Sequence, residues 1–357
     1  MKIVTLLSVF ARGDAVSNDA LAIHRFLTER GYPTLMAAEK AYYQPEGIQI
    51  VSAKSLSFIE PDDVVIYHLS TGTELNYLFG RTDCKKIIRY HNVTPPEYFY
   101  GYSNFKVATA QEGLRGAAFL ADKADLCVCV SEFNRDNLVE MGYHCPMVVV
   151  PILIPFADYK HEPDLNLMRQ LQDGNKNIIF TGRIVPNKRQ EDLIKIFYYY
   201  QRYYDANAKL HLVGNYTGFE SYYQKLIDYV DKLQVKNINF TGHVSFAQIL
   251  SYYNAADLFL CMSDHEGFCV PLVEAMQFGV PIIAKDTTAI SSTLGKSGFL
   301  IKESPPQVVA GIMYKILNDK KLSKQIVMDE RERLTDFDHE KIGQRWLEIL
   351  KEYFIIE

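Results

Sequence analysis

The sequence predicts an α/β protein built as two parallel-sheet domains, and three observations carry that prediction. Short apolar runs alternate with longer amphipathic stretches along the 357 residues. The runs are continuously apolar, as strands covered by helices on both faces must be. The series breaks once, at a charged stretch with Asp-Gly and Pro over 156–176, and then begins again. The length itself favours two domains.

In the first half, KIVTLLSV (2–9) reads as a buried strand. A helical stripe through Ala20, Ile23 and Leu27 follows and ends at Gly31. DVVIYHL (63–69), KKIIRYHN (85–92) and DLCVCVS (125–131) read as further buried strands. Ser131 is placed to cap a helix that stops at Gly142. PMVVVPILIP (146–155) reads as a last strand running into a proline-bounded connector. In the second half, strands are expected at 177–182, 209–214, 238–244, 257–263, 280–286 and 298–301. Amphipathic segments at 189–204, 219–234, 246–255, 271–278 and 305–318 separate them, and EKIGQRWLEILKEYFI closes the chain as an amphipathic helix. Each half is therefore expected to be doubly wound and Rossmann-like. No repeat with a period of about 20–50 residues recurs, so a solenoid is excluded.

Composition removes several classes of function. Hydrophobic residues make up 48% and charged residues 23%, ordinary globular values that argue against disorder and coiled coil. The net charge of −5 provides no basic field for nucleic acid. Six cysteines occur without a Cys-x-x-Cys pair, and four lie in apolar runs, so reduced buried thiols are expected. The opening MKIVTLLSVFARGD is too short in its apolar part for a signal peptide, and no run approaches the length of a membrane span. The expected location is the cytoplasm. The Asn-x-Thr triplets at Asn92 and Asn215 are then chance matches.

Neither candidate first strand is followed by Gly-x-Gly-x-x-Gly, so a dinucleotide-dependent oxidoreductase is excluded. TLGKSG (293–298) imitates a phosphate loop but has Ile290 where the first glycine belongs. HEGFC (265–269) lacks the second histidine of a zinc protease. The one Asp-x-Asp, DFD (336–338), sits before the last helix and reads as a helix cap.

Ligands of doubly wound sheets bind where strands end. FTGRIVPNKRQ places Gly182, Arg183 and Lys188 directly after a strand. Arginine and lysine five residues apart can converge on one diphosphate, as a planar fork and a point charge. SDHEGFCVPLVEAMQFGVP follows the strand DLFLCM and carries Glu266 and Glu274 with seven residues between them. Pro271 suits the first helical turn. The N–H groups of Gly267, Phe268, Cys269 and Val270 then precede a helix N-terminus, where phosphate is favoured. Glu274 is expected in the first turn. Two carboxylates beside an anion site fit a ligand bearing hydroxyls on both sides of a diphosphate, as a nucleotide-sugar does.

GRIVPNKR together with EGFCVPLVEAM resembles the retaining family 4 glycosyltransferases of the GT-B fold. GDAVSND (13–19), RYHNVTPPEYF (89–99), CVSEFNRDNL and the final helix resemble that family's elements in the same order. The resemblance implies an N-terminal domain over 1–160, joined by the last helix at about 338–357, and a nucleotide-sugar-binding domain over 161–337. It implies that Arg183 and Lys188 neutralise the donor diphosphate and that Glu274 binds the ribose hydroxyls. Glu266 and the backbone of Gly267 to Val270 would hold the donor sugar. His91 would reach the transferred sugar, Gly13 would let its loop approach the phosphates and acceptor, and His243 and Val244 would lie near the base. It implies no metal and no cofactor beyond a UDP-, GDP- or dTDP-linked donor. The acceptor would be a glycan or lipid-linked glycan of cell-surface polysaccharide assembly. Read by itself, a histidine ending a buried strand is also a common satisfied core residue. The aromatic segment EYFYGYSNF (97–105) is read as an acceptor groove, with contact to the inner face of the membrane or to a partner as the alternative. FYYYQRYY (197–204) reads as core with partial surface. Other GT-B chemistry, such as nucleotide-sugar 2-epimerisation, and non-catalytic sugar-nucleotide binding are the rival functions.

Overall fold

A computed structural model describes residues Met1–Phe354. The chain divides into two compact units. One comprises Met1–Glu97, Asn104–Phe156 and the C-terminal stretch from Phe337; the other comprises Tyr98–Ser103 and Ala157–Asp336.

The first unit holds seven strands: β1 (Ile3–Phe10), β2 (Thr34–Ala41), β3 (Ile50–Ser52), β4 (Val64–Leu69), β5 (Lys85–Tyr90), β6 (Leu126–Cys129) and β7 (Met147–Val149). They pair in parallel in the order β3-β2-β1-β4-β5-β6-β7. Every residue of β4 is buried, as the continuous apolar run requires. Sequence reading passed over β2 and β3. The segment TLMAAEKA is made mostly of residues that favour helices, and only Met36, Ala37 and Ala38 are buried. Its pairing with β1, Ile3 opposite Thr34 onward, overrides that local preference. The strand expected over 146–155 is only Met147–Val149, because Pro151 and Pro155 lack ladder donors. The helix Glu132–Glu140 begins as expected: the Ser131 hydroxyl accepts from Asn134 N–H at 3.2 Å. The last helix, His339–Phe354, buries Ile342, Trp346, Ile349 and Leu350. Gly343 on it faces Phe26, whose ring occupies the space a side chain would need.

The second unit holds β8 (Asn177–Thr181), β9 (Lys209–Val213), β10 (Ile238–Gly242), β11 (Leu258–Cys261), β12 (Ile282–Lys285) and β13 (Phe299–Ile301). All pairs are parallel, in the order β10-β9-β8-β11-β12-β13. Strand order therefore reverses at β8 and β11, and their carboxyl ends flank the place where doubly wound sheets bind ligands. Among the described residues, no helix is long and apolar enough to cross a membrane.

One buried carboxyl marks how this sheet is covered. Glu330, on the helix Lys320–Leu334, is fully buried and accepts Ile282 N–H at 2.9 Å. Burial pushes it far above the usual carboxylate range, to about 8. Between that usual range and pH 8 the native chain keeps a proton that the unfolded chain has released, so stability falls as pH rises. Glu330→Gln should match the parent near pH 4.5 and exceed it near pH 8 in urea denaturation. A difference that does not change with pH would contradict the assignment.

Candidate active site

The site is built on two loops. After β8 the chain turns at Gly182, whose φ is +142°. Its N–H donates to Val213 O at 2.9 Å. Gly214 approaches so closely that a Cβ there would strike Gly182 O, so this crossing needs a glycine. Arg183 stands exposed, with Nη2 donating to Thr217 O at 3.2 Å and its guanidinium 5.8 Å from the Phe219 ring. A short 3-10 turn, Pro186–Lys188, then presents Lys188.

The second loop runs from Met262 to Cys269, between β11 and the helix Val270–Phe278. Asn187 ties the loops together: its Nδ2 donates to His265 O at 3.0 Å, and its O accepts from Asp264 N at 2.9 Å. Thr288 Oγ1 accepts from Glu266 N at 2.9 Å, and Thr293 Oγ1 donates to Phe268 O at 2.5 Å. These clasps hold Lys188 Nζ 2.5 Å from Glu266 Oε2. Burial pushes the Lys188 ammonium down, but the Glu266 carboxylate outweighs it and holds the pKa above its ordinary value. His265 is pushed down to about 4 by burial, with Lys188 adding in the same direction, so at neutral pH it adds no charge. The result is a protonated amine fixed at a helix N-terminus, suited to an anion. None of Asn187, Thr288 or Thr293 was singled out from sequence, since hydrogen bonds to a neighbouring loop's backbone leave no local pattern.

Glu274 needs a correction: it lies in the second turn of Val270–Phe278, not the first, because the helix starts one residue before Pro271. Its carboxylate is already engaged. Tyr159 OH donates to Oε1 and Tyr253 OH to Oε2, both at 2.7 Å. Burial raises its pKa and the two hydroxyls oppose the rise. Tyr159 packs edge-on to Phe246 and Phe278, and Tyr253 stacks on Phe278 at 5.2 Å. Tyr159 belongs to the stretch read from sequence only as a connector.

His243 and Val244 follow β10, two strands from β8. His243 is exposed, and Val244 packs on Leu171, Val213 and Tyr252. In the first unit, Gly13 (φ +74°) turns the exposed loop after β1. His91 follows β5 with its side chain only 4% exposed. Its Nε2 lies 3.0 Å from His68 Nδ1 and 3.5 Å from Asp19 Oδ2. That is the placement of a satisfied core histidine. Asp336 of DFD pairs with Arg333 at 2.6 Å, and Asp338 accepts Lys341 N–H at 3.0 Å, so both are spent on helix ends. In 97–105, Phe99 packs on Phe219, Tyr102 on Tyr222, and Lys225 donates to Tyr102 OH at 2.8 Å.

The sequence of this second unit matches the model of one family, glycosyl transferases group 1, over residues 168–333. That stretch belongs to the group 1 glycosyltransferases. Among curated relatives, the capsular polysaccharide biosynthesis glycosyltransferase CapM of Staphylococcus aureus is 28% identical over 191 residues, 53% of this chain and 49% of that protein. The lipopolysaccharide 1,2-N-acetylglucosaminetransferase of Salmonella typhimurium is 24% identical over 321 residues, 87% and 78% of the two chains. The first of these matches spans about half of the relative's length. Anabaena HepE, solved in complex with UDP and glucose, superimposes with a TM-score of 0.76 at 18% identity, covering 99% of this chain and 100% of that one. The architecture, two parallel α/β sheets each wound by helices, is the GT-B fold.

Proposed function

We propose that this chain is a retaining, family 4 glycosyltransferase that moves a sugar from a nucleotide-diphosphate sugar to a glycan or lipid-linked glycan, in cell-surface polysaccharide assembly. The observation that carries the reading is the Lys188–Glu266 pair, clasped by Asn187 and Thr288 where the sheet order reverses. The names of relatives in capsular and lipopolysaccharide synthesis support the acceptor class. The acceptor hydroxyl oxygen bonds the anomeric carbon on the face from which the diphosphate leaves, and its proton passes to the departing phosphate oxygen. Arg183, Lys188 and the N–H groups of Gly267 to Val270 absorb the charge that develops there. Glu266 orients the donor sugar. His91 takes part only if its ring leaves His68. The site works in the cytoplasm without a metal, since lysine and arginine occupy the role a divalent ion would have.

Thermal shift with UDP, GDP and dTDP compounds tests donor binding; a ligand at about 100 times its Kd adds about 2.7 kcal/mol. Transfer assayed with EDTA should proceed undiminished. Loss of activity that manganese restores would defeat the metal-free reading, and an epimer formed from donor alone would replace transfer by epimerisation.

Glu274 carries a further expectation. The donor ribose and the Tyr159 hydroxyl compete for the same carboxylate. Glu274→Ala should weaken nucleoside diphosphate binding by about 1.5–3 kcal/mol, the value of a hydrogen bond to a charged group. Tyr159→Phe should tighten it, by about 0.5–1.5 kcal/mol. Calorimetry showing equal affinity in the parent and Glu274→Ala would remove the ribose role.

A further inference from the structure

The loop that carries Glu266 is bracketed by two thiols. Cys261 closes β11, where it sits opposite Ala284 of β12, and Cys269 caps the helix Val270–Phe278. Both are free, and both are buried, at 0% and 6% exposure, as is Glu266 at 7%. The two sulfurs and a Glu266 carboxylate oxygen lie within 4.8 Å of one another. A tetrahedral centre with metal–sulfur bonds of about 2.3 Å and a metal–oxygen bond of about 2.0–2.2 Å needs its ligand atoms roughly 3.5–3.8 Å apart. Small side-chain rotations bridge that difference, and the backbone at both cysteines is held by a strand and a helix start.

We propose that Cys261, Glu266 and Cys269 form a binding site for a soft divalent cation of the zinc class, with a water or other small ligand in the fourth position. Thiolate sulfur selects such ions over magnesium or calcium. Charge supports it: two thiolates and one carboxylate offset the ion's two charges and the ammonium of Lys188. Binding releases the thiol protons to solvent. The ion takes the carboxylate that Lys188 otherwise holds, and it lies beside the Gly267–Val270 backbone. On the donor reading given above, ion and nucleotide-sugar therefore exclude each other, which makes the site an inhibitory one.

Two other clusters are less suited. Cys127 and Cys145 meet at 3.5 Å, but among the described residues no third ligating side chain completes a group with them. Asp19, His68 and His91 lie together, but the Arg89 guanidinium occupies the Asp19 carboxylate at 2.8 Å and repels a second cation.

Cadmium is the probe, because thiolate–cadmium bonds give an ultraviolet charge-transfer band. The metal-stripped full chain, kept reduced with a phosphine, is titrated while the band is recorded. The proposal expects saturation at one cadmium per chain. Cys269→Gly should weaken binding at least about 100-fold, no less than the loss of an outer-shell partner. Glycine suits the φ of +74° at this position, so that variant keeps its fold. Cys261→Ser should act likewise, and Cys145→Ser should leave the titration unchanged. Absence of the band, or a band lost in Cys145→Ser and kept in Cys269→Gly, overturns the site. The titration contains no nucleotide, so its outcome is separate from that of the donor reading. Added nucleotide-sugar should then raise the apparent cadmium Kd, and an unchanged Kd in a chain that does bind nucleotide overturns the mutual exclusion.

Discussion

Arg183→Ala should lower kcat by about 10²–10³-fold, the scale for one lost electrostatic donor to a transition state. Arg183 is exposed, on a loop whose course is set by backbone bonds from Gly182 to Val213 and from Ile184 to Asn215. Its removal therefore leaves the loop in place, and the melting temperature should not move. In the proposed transfer the charge it would meet grows as the diphosphate leaves, so kcat and kcat/KM should fall together while substrate KM stays nearly constant. Lys188→Ala is a less direct test, because it also strips Glu266 of its partner in a buried place. Steady-state kinetics with saturating donor decide the matter. A kcat equal to that of the parent would take Arg183 out of the transfer step.

Asp19→Ala should destabilise the first unit by about 3–5 kcal/mol, the range for breaking one side of a buried ion pair. Asp19 and Arg89 are both fully buried. Arg89 Nε donates to Asp19 Oδ2 at 2.8 Å, while its Nη1 and Nη2 donate to Val150 O at 2.6 Å and Pro151 O at 2.8 Å. Asp19 Oδ1 also accepts Leu153 N–H at 2.7 Å. One carboxylate thus joins the first helix, β5 and the chain leaving β7. His68 and His91 complete the cluster, and burial, before any neighbouring charge, pushes both imidazoles far below their ordinary pKa. They are neutral at neutral pH and cannot replace the lost anion's partner role. Without Asp19, the Arg89 cation is left in a dry interior. Trp346, the chain's single tryptophan, lies 5.4 Å from that guanidinium, so its fluorescence in urea reports this unit directly. Asp19→Ala with Arg89→Met should recover most of the loss, since an apolar replacement leaves no unpaired charge. A single variant as stable as the parent would show that Arg89 is satisfied by the carbonyls alone.

The candidate site was legible to different depths. Arg183, Lys188 and Glu266 could be read because each lies in a short loop between a strand's end and a helix start, 181 to 190 for the first two and 261 to 270 for the third, so the signal is local. Tyr159 could not: it meets Glu274 across 115 residues, and nothing in PFADYK distinguishes it from an ordinary connector tyrosine. Asp19 and Arg89 are separated by 70 residues. The arginine in the apolar run KKIIRYHN was the available signal, since a buried strand accepts a charge only when a partner waits for it.

By itself, the sequence determined what depends on neighbours along the chain. Continuous apolar runs, helical stripes and caps such as Ser131 set the α/β class, most strands and the two loops that follow β8 and β11. The tertiary structure alone decided what depends on neighbours in space. It drew TLMAAEKA into a strand against β1 and enclosed His91 beside His68. It also brought Cys261 and Cys269 together on either side of Glu266. The reason is physical. Local periodicity reports which face of an element will be buried, whereas the partner on that face is chosen by packing and desolvation summed over the whole sheet, and those sums have no local trace.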